Sequence, residues 1–518
     1  MTMTESQAHP WLRLYEDRAR PLHIRSADVE GVIPAGLRGT HYRVGPAGGR
    51  AYGTPLANAF SDADGFVGAY TFSDQGVSFR GDIVHTPVRR REHAAGRLIG
   101  ATFSTSADRR LPARLLSGLR GMAASFAPGV VPPQAGWEAV KDSPNHVPCV
   151  IGDRLLLLGG AGAPFALDPR TLAPLGRDDF GGALPKRQLY LVGESHLDPG
   201  SGERCFLEIS TFPTGVRLWS VGDHGTGRGS PLVKLPHVYL PHDFGLTPTK
   251  IVVPLGPIYA DYPALVRATL GFAPMNDVFR WHPDQPTRFC VIDRRTWTTR
   301  VYQAPACYPV HVANAFDDGD EVVLDMNIHS DDSCVRGFTA SLNHNWGHPG
   351  FTNRLQRIRL TADGRVTSLE LAPFDCETPF SSDAREGLPS RFVYAFATAR
   401  GIAGSSRVVK VDAESGTWDI HDYGDGHVVC EPVFVPEPPA TREDAGWLLC
   451  QVYDANRDRT FLSVLDAAAF GKEHARITLS HPLPYLLHGK FVPDPDQAVA
   501  ATPPAPGDRT AKETPPPQ

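Results

Sequence analysis

The sequence predicts an all-β fold of the propeller kind, and three observations lead there. The middle of the chain reads as short apolar strands, among them DRLLLLGG (153–160), CFLEIS (205–210), KIVVP (250–254), EVVLDM (321–326), RVVKVD (407–412) and WLLCQVY (447–453). Between them lie turns such as DPGSGE (198–203), DDGD (317–320), ADGR (362–365) and AESG (413–416), rich in residues that tolerate positive φ. Four segments, PFALDPRTLAPL, FCVIDRRTWTTR, VVKVDAESGTWD and FLSVLDAAAF, share an apolar strand running into Asp, a short turn and a resuming strand. A hairpin recurring at long intervals fits successive blades around an axis. The repeat is too degenerate to number the blades, and a long β-sandwich produces part of the same pattern.

Taken in order, residues 1–30 read as a polar N-terminal strap. Residues 31–494 show no linker and read as a single catalytic propeller domain, with loops and short helices capping one face. Residues 495–518 are rich in Pro and Ala and cannot bury a core, so a disordered tail is expected. Residues 111–130, LPARLLSGLRGMAASFAPGV, differ from their surroundings: apolar residues recur at roughly helical spacing around Arg114 and Arg120. They read either as an amphipathic segment in peripheral contact with a membrane or as a helix or loop packed on the propeller face.

Composition narrows the function. The net charge of −6 lacks the basic stripe that a nucleic-acid partner requires. The eight cysteines form no CxxC pair and read as reduced thiols. The N-terminus has no signal-peptide layout and no apolar run is long enough to span a bilayer, so a cytoplasmic protein is expected, with peripheral membrane contact through 111–130 as the variant.

Of the 20 histidines, four sit in similar contexts, where an apolar strand meets a turn: His196, His242, His311 and His488. They are far apart in the chain and no local motif such as HExxH joins them. Each is either a hydrogen-bonded core residue or a metal ligand. A propeller reconciles the second reading with the distances, because each blade's innermost strand can present one side chain to a common axis.

At these contexts the chain resembles the carotenoid cleavage oxygenase family, nearest its bacterial apocarotenoid-cleaving branch. The likeness runs from about residue 28 to 493. It is carried by DVEGVIPAGLRGTHYRVGP (28–46), FSDADGFVGAYTF (60–72), FRWHPDQPTRFCVIDRR (279–295) and EDAGWLLCQVYDANRDRTFLSVLDA (443–467), in that order. The resemblance implies a seven-bladed β-propeller holding one Fe(II) per chain through His196, His242, His311 and His488. It also implies glutamates hydrogen-bonded to the ligand imidazoles, met here by Glu377 in CETPF and Glu431 in CEPVFVP. Such a carboxylate fixes the tautomer and aims the other ring nitrogen at the metal. The implied reaction is cleavage of a conjugated C=C bond of a lipophilic polyene, a carotenoid or apocarotenoid, with O2 to give two carbonyl products.

The chain departs from the family at two places. Gly159 and Gly160 stand where the family has an aromatic residue followed by glutamate, so a third supporting carboxylate and a bulky tunnel wall are missing. The stilbene-cleaving branch tends to carry lysine at the position of Gly159, so its absence argues against a phenolic stilbene. His146, in SPNHVPC, stands where the family has Thr or Val near the open coordination site; it could restrict that site, bind oxygen, ligate the metal or face away. Phe244, Leu240, Val310 and Leu487, beside the histidines, are either substrate-tunnel lining or core, with Gly159 at the tunnel wall. Other readings are a non-oxidative polyene isomerase of the same fold, a calcium-dependent propeller hydrolase, and a propeller binding module without activity.

Overall fold

The computed structural model describes residues 10–16, 19–99, 102–105, 141, 143–159, 162–185, 190–198, 200–269, 272–333, 352–398, 405–439 and 442–494. The segment 111–130, Gly160 and the tail 495–518 lie outside the described residues.

Antiparallel strands form seven blade-like units. Two of them are joined: the long strand Val366–Phe380 pairs with Asn353–Leu360 through its first half and with Phe392–Ala397 through its second. The other five are separate sheets, and none of the sheets is closed on itself. Buried side chains gather between successive blades. Leu155 and Leu157 face Tyr42 and Val44 of the preceding blade, while Leu156 and Leu158 face Phe206 and Trp219 of the following one. The same holds at Leu207 with Ile251, at Phe289 with Leu324, at Leu355 with Val393, and at Phe396 with Leu448. A strand covered on both faces needs apolar residues at odd and even positions alike. That is why the strands read as continuous runs such as LLLL instead of alternating.

The ring closes by pairing the two ends of the chain. Leu449 and Leu462 of the last blade pack on Phe66 and Tyr70 of the first. His488–Pro493 joins Gly39–Pro46 as the inner strand of the first blade. The second half of the expected strap is built into the sheets: Leu22–Ile24 pairs with Gly76–Ile83 of the first blade, and Asp28–Gly31 with Glu473–Thr478 of the last.

Helices are short. Pro87–Ala95 starts with Thr86 accepting from the Arg89 N–H and stops at Gly96, whose φ of 62° suits glycine. Tyr262–Thr269 lies in an excursion from the fourth blade, between the paired strands Ile258–Ala260 and Phe279–Trp281. No helix among the described residues is long and apolar enough to cross a membrane. The seven described cysteines are free thiols.

Candidate metal centre

The innermost edge of every blade delivers one titratable side chain toward a common centre. In blade order these are His488 at the start of His488–Pro493, His146 just before Pro148–Ile151, Glu194 in Leu191–Leu197, and His242 just before Gly245–Leu246. His311 in Tyr308–Asp318, Glu377 in Val366–Phe380 and Glu431, between His427–Val429 and Val433–Pro436, follow. An edge strand leaves one side without a neighbour, so its side chains and ends can enter the space around the axis.

Three histidines aim their Nε2 atoms at one place. Those of His242 and His311 are 3.0 Å apart, with the rings perpendicular. His311 and His488 stand with centroids 5.4 Å apart. The outer nitrogens explain the aim: His311 Nδ1 lies 3.0 Å from Glu377 Oε2, and His488 Nδ1 lies 3.1 Å from Glu431 Oε1. A carboxylate accepts, so Nδ1 carries the proton and Nε2 presents a lone pair inward. Two lone pairs 3.0 Å apart repel unless a proton or a cation lies between them. Metal–nitrogen bonds of about 2.1 Å put neighbouring donors on one ion about 3–4 Å apart, so this set fits a metal ion.

The carboxylates are themselves anchored. Glu377 also accepts from His329 Nε2 at 2.8 Å, Asn327 Nδ2 at 2.9 Å and the Thr378 N–H at 2.9 Å. Burial alone would raise its pKa, but the histidine hydrogen bonds hold it well below the usual range. The same contact outweighs burial at His311 and raises its pKa to about 9. Thr378 has φ 45°, a left-handed conformation that costs a β-branched residue about 1–3 kcal/mol. The kink it makes, at the register break between Glu377 and Phe380, turns Glu377 toward His311. Burial raises the Glu431 pKa, but the charge of His488 and its hydrogen bond outweigh this, and the Gly489 N–H donates to the same carboxylate at 2.8 Å.

Arg43, wholly buried, locks the strand end that carries His488. Its guanidinium donates to the carbonyls of Leu486 at 2.8 and 3.0 Å, of Glu431 at 2.9 Å, and of Leu487. Arg43→Met is expected to leave three buried carbonyls without these donors, at about 1–3 kcal/mol each. Stability should fall by at least about 3 kcal/mol in urea melts, and iron should bind more weakly. A variant with wild-type stability would show that these bonds do not hold the site.

The fourth expected histidine, His196, stands apart from these three rings. Its Nε2 lies 2.9 Å from Asp243 Oδ1 and its Nδ1 2.7 Å from Glu386 Oε1. Burial lowers its pKa, but Asp243 and Glu386 outweigh that and raise it to about 10. Both ring nitrogens face carboxylate oxygens, so neither is directed at the point where the other three rings converge. Asp243 passes the restraint on, accepting from the Val312 N–H at 2.7 Å and the Phe244 N–H at 2.6 Å, next to His311 and His242. His196 thus braces, through Asp243, the two blades that carry His242 and His311. In its stead Glu194, two residues earlier, shares the centre: its Oε1 is 3.8 Å from His488 Nε2, and its carboxylate, His311 and His488 offer donor atoms all within 4.8 Å of one another. Residues two apart on a strand share a face but stand about 6.6 Å apart along it, so only one of the pair can reach a given point. The expected ligand set held only histidines and did not include Glu194. The signal that would have found it is the same-face carboxylate in GESH.

Two cavities meet at the histidines. The larger, of about 1630 Å³ including its open mouth, is lined by the expected Leu240, Val310, Leu487 and Gly159, together with Phe60, Phe103 and Val238. The excursion from the fourth blade covers part of it through Leu265, Met275 and Phe279. Phe244 is not part of the wall. It is wholly buried between the third and fourth blades and meets the His196 ring edge-on at 4.6 Å, because its side chain points away from the axis. His146 lines this cavity beside His242, His311 and His488. Its Nδ1 is buried with no hydrogen-bond partner, and burial lowers its pKa to about 4, so the ring is neutral. The smaller cavity, about 730 Å³, is polar and lies on the side of Glu194, His196, Asp243, Glu386 and Lys490. Among the described residues, no carboxylate hydrogen-bonds to the ring of His242.

The profile of the retinal pigment epithelial membrane protein family matches residues 17–493. The chain is 30% identical over 504 residues to apocarotenoid-15,15'-oxygenase of Synechocystis sp., covering 93% of this chain and 96% of that protein. It is 25% identical over 518 residues to carotenoid isomerooxygenase of Galleria mellonella, covering 93% and 96%. A cobalt-substituted crystal structure of the Synechocystis apocarotenoid oxygenase superposes with a TM-score of 0.79 at 27% identity, over 93% of this chain and 98% of that one.

Proposed function

The chain belongs to the retinal pigment epithelial membrane protein family, and on that premise we propose that it cleaves a conjugated C=C bond of an apocarotenoid with O2, using one Fe(II) per chain. It is a carotenoid cleavage dioxygenase, and the products are two carbonyl compounds. The observation that carries the reading is the convergence of three imidazole Nε2 atoms at the inner end of a long apolar cavity.

His242, His311 and His488 would hold the ion. When bound, iron supplies the electrons that activate O2 for attack on the polyene, the step that no side chain can perform. The protein contributes position and dryness. Phe60, Phe103, Val238, Leu240, Val310 and Leu487 wrap a hydrocarbon chain and displace water from it. Burial of that chain aligns one double bond beside the histidines, so the depth of the cavity selects the bond. The neutral His146 ring stands at the junction of cavity and histidines and limits what can approach from the substrate side. Glu377 and Glu431 keep two ligand rings from rotating. No titratable side chain is required as a general base.

The test is anaerobic reconstitution with ferrous iron, followed by metal analysis, O2 uptake and mass spectrometry on a panel of apocarotenoids. About one iron per chain, O2 consumption and paired aldehyde or ketone fragments are expected. A product of unchanged mass formed without O2 would replace this reading with isomerisation.

A further inference from the structure

We propose that the fourth protein ligand of the metal is the carboxylate of Glu194, giving a site of three histidines and one glutamate in place of four histidines. This rests on the metal-centre reading above.

Three observations meet at Glu194. Its Oε1 is 3.8 Å from His488 Nε2, and its donor atom falls within 4.8 Å of those of both His311 and His488, the spacing of ligands around one ion. Among the described residues, no lysine, arginine or backbone N–H hydrogen-bonds to this carboxylate, although its side chain is only 17% exposed. A carboxylate taken out of water without a donor is costly. Most other inward-facing acids at this level have their donors: Asp243 has His196 and two backbone N–H groups, Glu377 has four donors, and Glu431 has His488 and the Gly489 N–H. A divalent cation at the Nε2 atoms is the partner that Glu194 otherwise lacks. The third observation is His196, the competing donor on the same strand, whose two nitrogens are already spent on Asp243 and Glu386.

The placement has a chemical consequence. Glu194 lines the smaller cavity and not the larger, His146 and His242 line the larger and not the smaller, and His311 and His488 line both. Glu194 would therefore hold the ion from the side of the smaller cavity, leaving the side of His146 and the apolar lining to the substrate. A negative oxygen donor also favours the harder, more highly charged state of a redox metal, so this iron is expected to oxidise more easily than one held by imidazoles alone.

The test uses the full chain, stripped of metal and reloaded anaerobically with ferrous iron. Wild type, Glu194→Gln, Glu194→Asp and His196→Gln are compared by iron per chain, chelator competition and the melting-temperature rise on iron loading. Glu194→Gln should bind iron about 100-fold or more weakly, beyond the about 10–100-fold typical of an outer hydrogen-bonding partner. It should lose the iron-induced rise, while the metal-free protein melts at or above the wild-type temperature because a desolvated carboxylate has gone. Glu194→Asp should recover part of the affinity, and His196→Gln, which loosens the brace through Asp243, should lose no more than the about 10–100-fold of an outer hydrogen-bonding partner. Wild-type affinity in Glu194→Gln, or loss of iron in a folded His196→Gln, would overturn the assignment. In either case a wild-type chain that binds iron and cleaves polyenes leaves the oxygenase reading standing. A wild type that binds no iron at all removes both.

Discussion

His242→Ala is expected to give a folded protein that retains less than about a tenth of an iron per chain and cleaves no substrate, since metal binding needs its full ligand count. His242 Nε2 lies 3.0 Å from that of His311, so its loss opens the ligand set directly. The fold should survive. Among the described residues His242 holds no carboxylate, so its removal strands no buried charge. Burial, with the neighbouring His311 and His146, already keeps its pKa well below the ordinary histidine value. Metal analysis beside circular dichroism checks both halves. Normal iron content would remove His242 from the site, and an unfolded variant would show that it holds the blade ends together.

Glu377→Ala is expected to damage site and fold at once. The carboxylate collects His311 Nδ1, His329 Nε2, Asn327 Nδ2 and the Thr378 N–H at 2.8–3.0 Å. Removing one member of such a buried, charge-assisted network costs about 3–5 kcal/mol. The strained backbone at Thr378 then loses the bond that offsets its conformation. Urea melts of the metal-free protein should show that loss, and iron should fail to load because His311 can turn. A variant that keeps wild-type stability but loses iron would confine Glu377 to orienting His311. One that keeps both would remove it from the site.

The sequence showed some of this and hid the rest, for identifiable reasons. The runs DRLLLL and WLLCQVY announced strands covered on both faces, because burial between blades demands apolar residues at every position. The contacts of Glu377 with His311 and of Glu431 with His488 were legible only through the family resemblance of CETPF and CEPVFVP, since the partners lie 66 and 57 residues apart and no local pattern joins them. His196 shares a strand face with Glu194, and nothing local says which of two same-face residues lies level with the axis. Phe244 misled because residues two apart share a face only in a regular strand, and His242 and Phe244 precede the strand Gly245–Leu246.

Composition, strand runs and motif order determined by themselves an all-β chain, and a candidate site drawn from histidines spread along it. Only the tertiary structure decided which donors converge. The height at which each inner strand meets the axis is set by packing between seven blades, and a shift of two residues, about 6.6 Å along a strand, exchanges Glu194 beside His488 for His196 between Asp243 and Glu386.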